Sequence, residues 1–410
     1  MTAAVRVRTL RAYRRAMGFA DRVREGVAAR GLPWPGASDP EPLAALDYAA
    51  EIEVKGGALA MFWKDAGLPG SAEPIVAAPE PRGYRTTSKR RATVSRRGFA
   101  LTFPGVETVA RVAPSRLDPP EHVAVYQALL PLLERPSGRA LCEALNWAIV
   151  RGRPGRLAVL LNVRVFDAAV VRGGKQVGEA LQAAKLGVAS AFLYLDPTGS
   201  DYYLEAKRPT GMLSQKRLYG PEWLEVGVEG GKLRFPPTVF SQVNDAMLPT
   251  MVKTAGGLAA LTLGHDLVDL YCGYGLFSLT VGGGAAHVTG IDHDGPAIEA
   301  ARQNASHFRS VRARFVPGRI TAELITRLPP ARRPEIVLLD PPRQGTEAGV
   351  VAALAARRPE RVVHVCCGTD EIPREVAAWA EAGYRLRRAV PLDLFAGTAN
   401  LETLVLLTPA

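Results

Sequence analysis

The sequence predicts an α/β protein. A doubly wound, mostly parallel sheet with an antiparallel last strand is preceded by a smaller α/β domain and an N-terminal extension. Two observations carry this. From residue 236 onward, short β-branched runs alternate regularly with stretches of helical period. The last two runs, 384–390 and 401–407, are joined without a helix, which turns the final strand antiparallel. The domains are expected at 1–80, a basic extension of uncertain fold; 81–235, a central α/β domain; and 236–410, the wound sheet.

At 410 residues the chain can build two or three cores, and 47% apolar content is that of a soluble globular protein. No run of about eighteen uncharged apolar residues occurs, so no membrane span is expected. The N-terminus lacks the apolar core and cleavage site of a secretory signal, and Asp21 and Glu25 argue against a transit peptide. A cytoplasmic protein is expected. The four cysteines are Cys142, Cys272, Cys366 and Cys367, with no CxxC, and the six histidines fall at no metal-ligand spacing. Neither a metal nor an iron–sulfur cluster is expected. Net charge is +11, and the first hundred residues hold 17 Lys+Arg against 10 Asp+Glu. That excess suits a polyanionic partner.

In chain order, residues 5–30 place Val5, Leu10, Tyr13, Met17, Phe19, Val23 and Val27 among eight arginines. This reads as an amphipathic helix with a basic face, ended by Gly31 and Pro33. Turn signals recur over 32–82, with one strand-or-helix segment around 47–63. A basic cluster, YRTTSKRRATVSRR at 84–97, leads into a hairpin expected to turn at Arg97-Gly98. Helices are expected at 121–133 and 139–150, a strand at 156–166, a helix at 176–186 and a strand at 191–196. A hairpin follows from 223–228 and 232–235. In the wound sheet, strands are expected at 266–271, 287–292, 314–316, 335–340 and 361–367, with helices at 244–261, 275–281, 295–306, 320–328, 347–356 and 370–382.

Three strand ends carry the chemistry. DLYCGYG at 269–275 closes a strand and opens a helix, and its glycines let the backbone approach a ligand. Ser278 stands where a GxGxxG motif needs its third glycine. Asp292 closes the next strand, where a carboxylate can bind both ribose hydroxyls of an adenosine. A glycine loop plus that acid, without a phosphate-binding turn, fits S-adenosyl-L-methionine better than a dinucleotide. In LLDPPRQG at 338–345, Asp340 ends an apolar strand and two prolines stiffen the exit. Arg343 follows, placed to hold a phosphate or the carboxylate itself. RVVHVCCGTDEIPRE at 361–375 ends a buried strand on Cys366-Cys367 just before a helix start. The helix dipole and Arg343 or Arg374 are expected to favour a thiolate there.

With FSQVN at 240–244 and FAGTANLETLVLL at 395–407, these motifs stand in the order and spacing of the RNA 5-methyluridine methyltransferases, which the chain resembles over about 215–410. The likeness extends weakly to Tyr84-Arg85. It implies a class I S-adenosylmethionine-dependent fold, with Cys367 as nucleophile and Glu402 as general base. Gln242, Tyr271, Gly273, Gly275, Leu276, Asp292 and Asp340 would contact the cofactor, and Phe240, Gln242, Asp340 and Arg343 the target base. The implied partner is RNA, transfer or ribosomal, bound by a monomer. The family's Ser-Cys-Asn-Pro reads Cys366-Cys367-Gly368-Thr369 here, and its histidine two before the base is Asn400. Two alternatives stand beside this: cytosine carbon-5 methylation, and an RNA-binding protein whose methyltransferase site has decayed.

Overall fold

The computed structural model describes residues 17–35, 39–95, 98–106, 110–199 and 215–410. Helix α1 (Phe19–Ala29) buries Phe19, Val23 and Val27, the i, i+4, i+8 face expected from the sequence. Val5, Leu10 and Tyr13 of that reading lie outside the described residues. Helix α2 (Tyr48–Asp65) starts at Asp47, whose side chain accepts the N–H groups of Ala49 and Ala50. Both helices share one apolar cluster with Val268, Val337 and Leu407 of the C-terminal part. The extension therefore belongs to that core.

Its attachment is ionic as well as apolar. Lys55 Nζ lies 2.8 Å from Glu51 Oε1 and 2.7 Å from Asp393 Oδ1, all three side chains fully buried. Glu51 also accepts the N–H of Gly397 at 2.5 Å. Lys55→Ala would strip Asp393 and Glu51 of their shared buried cation, leaving Glu51 only the Arg82 guanidinium at 2.9 Å. We expect a loss of about 3–5 kcal/mol of stability, read from the urea midpoint; an unmoved midpoint would show that the cluster does not hold α2 in place.

The central sheet contains β1 (Thr87–Ser95), β2 (Gly98–Thr102), β3 (Leu145–Arg151), β4 (Leu157–Val163), β5 (Val188–Leu195) and β6 (Gln215–Tyr219), in the order β2-β1-β3-β4-β5-β6. Helices α3 (Pro120–Glu134), α4 (Arg139–Ala144) and α5 (Ala168–Ala183) share a core with β3, β4 and β5. Ser95 pairs with Gly98 across the expected hairpin; Arg97 itself lies outside the described residues. Two expectations fail here. The helix expected over 139–150 stops at Ala144, and Leu145–Arg151 is a strand buried at every position. Sheet neighbours on both sides, β1 and β4, override the local helical period. The helix expected at 176–186 begins earlier, at Ala168, with Asp167 accepting the Val170 N–H. Gly173 and Gly174 hid that start: a Cβ on Gly174 would lie 2.8 Å from Leu193.

A ribbon of β7 (Leu224–Val228) and β8 (Gly231–Phe235) follows as expected, and Phe235 stacks on Tyr274 at 4.5 Å. After α6 (Leu248–Ala259), the strands are β9 (Asp266–Leu270), β10 (His287–Asp292), β11 (Ala313–Pro317), β12 (Glu335–Leu339), β13 (Arg361–Cys366), β14 (Tyr384–Leu392) and β15 (Glu402–Pro409). Between them run α7 (Leu276–Thr280), α8 (Gly295–Ala305), α9 (Ala322–Arg327), α10 (Val350–Ala356) and α11 (Ile372–Glu381). Strand order is β11-β10-β9-β12-β13-β15-β14, with β15 antiparallel to both neighbours. This is the doubly wound sheet with an antiparallel last strand expected from the sequence. Winding reverses at β9, which has β10 on one side and β12 on the other. The carboxyl ends of β9, β10, β12 and β13 therefore meet the start of β15 along one edge, where such sheets bind ligands. No described helix is long and apolar enough to cross a membrane.

Candidate active site

Strand β13 alternates its side chains between two cores. Val362 and Cys366 join the apolar cluster that contains Leu407, while Val363 and Val365 join the one on the opposite face. Cys366 is fully buried, whereas Cys367 lines a cavity of about 420 Å³ with Arg343, Gly368, Asp370, Glu371, Arg374 and Asn400. Thr403 pairs with Cys366 in register, which sets Glu402 one residue further along, beside Cys367. Glu402 is 1% exposed and neither of its carboxyl oxygens has a hydrogen-bond partner. Burial and the Asp340 carboxylate push its pKa well up. A buried carboxyl without a donor is a destabilising arrangement that needs a reason.

The thiol is not the ready thiolate expected from the sequence. Burial, then the carboxylates of Glu402, Asp340 and Glu371, drive the Cys367 pKa upward, and Arg343 opposes them only in part. Helix α11 begins at Ile372, five residues beyond the thiol, so its dipole acts at a distance. In this state Cys367 is a thiol donating to the Pro341 carbonyl at 3.4 Å.

Asp340 follows β12, and its pKa is pushed to about 7 by burial and by the carboxylates of Asp269 and Asp292. Gln242 Nε2 donates to Asp340 Oδ2 at 3.4 Å. Gln242 is buried, while Phe240, two residues earlier on the same loop, is 49% exposed. Sequence reasoning missed what holds this loop. Arg151, at the end of β3 and fully buried, donates to Val239 O and Ser241 Oγ at 2.6 Å each. No local pattern marks that arginine. Glu371 was likewise read only as part of a helix start.

At β9 the backbone turns through positive φ at Tyr271 (61°), Gly273 (54°) and Gly275 (91°). Gly275 is also needed for packing, since a Cβ there would stand 3.1 Å from Leu279 and 3.3 Å from Phe315. Above Gly273 the space is open: a Cβ would meet nothing within 4 Å. Leu276 is buried as the first residue of α7, and the buried Tyr271 hydroxyl has no partner. Asp292 is held by the N–H groups of Gly273 at 2.9 Å and Asp294 at 2.8 Å. Asp269, bonded by Ser278 Oγ at 2.5 Å, is itself pushed to about 7 by burial. Three mutually repelling carboxyls around an open glycine turn suit a cofactor that carries positive charge. They fit a nucleotide pyrophosphate poorly. No group of three or more potential ligands among the described residues is arranged to hold a metal.

Residues 210–410 match the profile of the tRNA (uracil-5-)-methyltransferase family. An RNA methyltransferase of Gloeobacter violaceus is 28% identical over 370 residues, covering 87% of this chain and 78% of that protein. One of Geobacter sulfurreducens is 36% identical over 182 residues, covering 44% of this chain and 37% of its own length; one of Enterococcus faecalis is 33% identical, and the match spans 42% of it. With these last two, the chain thus spans less than half of the relative. Among solved structures, the Pyrococcus abyssi tRNA (uracil-54, C5)-methyltransferase in complex with S-adenosyl-L-homocysteine superposes with TM-score 0.69 at 19% identity. That match covers 92% of this chain and 86% of that one, a likeness of fold.

Proposed function

We propose, for a chain whose residues 210–410 match the tRNA (uracil-5-)-methyltransferase family, that it transfers the methyl group of S-adenosyl-L-methionine to carbon 5 of a uridine in structured RNA, through a covalent bond between Cys367 and carbon 6. The observation that carries this reading is the pairing, on adjacent strands, of a cavity-lining thiol with a buried, partnerless carboxyl, Cys367 with Glu402. Carbon 5 of uracil is too weak a nucleophile to react unaided. Addition of Cys367 Sγ at carbon 6 makes the ring an enolate, nucleophilic at carbon 5. After methylation carbon 5 still bears its proton, which Glu402 removes so that the thiolate can leave.

The remaining residues bind and orient. S-adenosylmethionine, when bound, supplies an electrophilic methyl group on a sulfonium. Asp292 is assigned to the ribose hydroxyls, Tyr271, Gly273, Gly275 and Leu276 to the turn around the cofactor, and Asp340 to the shared boundary with the base. Gln242, Asp340 and Arg343 face the pyrimidine, and the half-exposed Phe240 ring offers a stacking surface for a base flipped out of its helix. RNA contact is further assigned to β1, where Lys89 and Arg91 lie over the Trp147 ring at 4.8 and 5.5 Å. All of these residues come from one chain, so a monomer suffices, and we assign it to the cytoplasm. The Pyrococcus abyssi enzyme is a tRNA methyltransferase by name, which makes tRNA the first substrate to try and ribosomal RNA the second.

The test is methyl transfer to unmodified transcripts of both RNAs, with 5-methyluridine identified after digestion. A protein that binds the cofactor yet methylates neither would overturn the reading. Asp292→Ala should weaken cofactor binding by about 2–4 kcal/mol, the loss of two hydrogen bonds to a charged group. Unchanged affinity by calorimetry would misplace the adenosine.

A further inference from the structure

Resting on that reaction, we propose that Glu371 is the acceptor of the Cys367 thiol proton, which leaves Glu402 free for the carbon-5 proton. The reaction moves two protons at different stages. As Sγ bonds to carbon 6 and the ring's π electrons move to the carbon-4 oxygen, the S–H proton must leave. After methylation, the carbon-5 proton must leave as the carbon 5–carbon 6 double bond re-forms and Sγ departs. A single carboxyl that took the first proton would still hold it when the second came. With two carboxyls the cycle balances. Glu371 takes the thiol proton and returns it to the departing thiolate, and Glu402 passes the carbon-5 proton to water.

The cavity singles out Glu371 for the first task. The present partner of the thiol is the Pro341 carbonyl, which is far too weak a base to take its proton. Asp370, the neighbouring carboxylate, is occupied by the Phe19 N–H at 2.8 Å. Glu371 lines the same cavity as Cys367, and its Oε2 is buried with no partner. Gly368 makes the room: a Cβ there would stand 3.1 Å from Glu371 Oε1 and 3.4 Å from its Cδ, crowding the carboxyl. Arg374, Asp370 and Glu375 face Glu371 from its own turn and helix, Arg343 from the loop after β12, Cys366 and Cys367 from β13, and Glu402 from β15. Burial outweighs the two arginines and pushes its pKa up to about 8. The ionised, proton-accepting form therefore grows as pH rises through 8, and addition should accelerate with it.

RNA carrying 5-fluorouridine at the target isolates this step, because fluorine cannot leave as a proton and the protein stays attached. Formation of the adduct on denaturing gels then reports addition and methylation alone. The wild-type rate should rise about tenfold from pH 7 to pH 9. Glu371→Gln should form adduct about 10²-fold more slowly with a flat profile, while Glu371→Asp should restore the rise. Glu402→Gln, which loses its base only after methylation, should still form adduct and keep the pH rise. A Glu371→Gln protein that keeps both rate and pH rise overturns the assignment, as does a flat wild-type profile, even if the Gln variant fails to fold. Should wild-type protein form no adduct at any pH with cofactor and RNA present, it is the proposed methyl transfer that fails.

Discussion

Cys367→Ala abolishes methyl transfer, by at least ~10⁴-fold, because without addition at carbon 6 no enolate forms and carbon 5 stays unreactive. Cofactor affinity should be unchanged, since the thiol stands at the end of β13 and the glycine turn follows β9. Cys366→Ala is the internal control. Its side chain lies fully buried in the apolar cluster on the other side of the sheet, so it should lose about 1 kcal/mol of stability through a small cavity and keep most of its activity. Single-turnover methylation with both variants decides. If Cys366→Ala is the dead variant, or Cys367→Ala still forms a protein–RNA adduct, the nucleophile is misassigned.

Glu402→Gln should behave differently from either cysteine variant. Addition and methylation proceed, but removal of the carbon-5 proton loses its base, and steady-state turnover should fall by about 10²–10⁴-fold. The methylated adduct then accumulates on ordinary uridine RNA, visible as a covalent species on denaturing gels. Gln fills nearly the same volume as Glu, and neither Glu402 oxygen has a hydrogen bond to lose, so the fold should tolerate the change. Turnover at the wild-type rate would mean that another group is the base. A fall in turnover with no adduct would place Glu402 at an earlier step.

Much of the C-terminal part was legible because its signals are local. β10 ends on Asp292 and β13 on Cys366, β12 runs directly into Asp340 and β9 into the glycine turn at 271–275, and a wound sheet must bring such ends to one edge. What was misread depended on partners distant in sequence. The run at 145–151 has no strand signal that outweighs its helical period until β1 and β4 flank it. The first turns of α5 were concealed by Gly173 and Gly174, kept small by Leu141 and Leu193 from other elements.

By itself, then, the sequence determined the wound sheet with its antiparallel last strand and the set of side chains offered along its edge. Only the tertiary structure decided their protonation and support. Cys367 is held as a thiol first by burial and then by the acids that converge on it from β15, the end of β12 and its own turn. The loop that carries Phe240 and Gln242 is held by Arg151 from another sheet, and α2 closes on the C-terminal part through Lys55 and Asp393. The physical reason is common to all three. Hydrophobic period and turn chemistry act over a few residues and can be read along the chain. Desolvation and Coulomb fields act through space between residues as far apart as 55 and 393, and they exist only once the chain has folded.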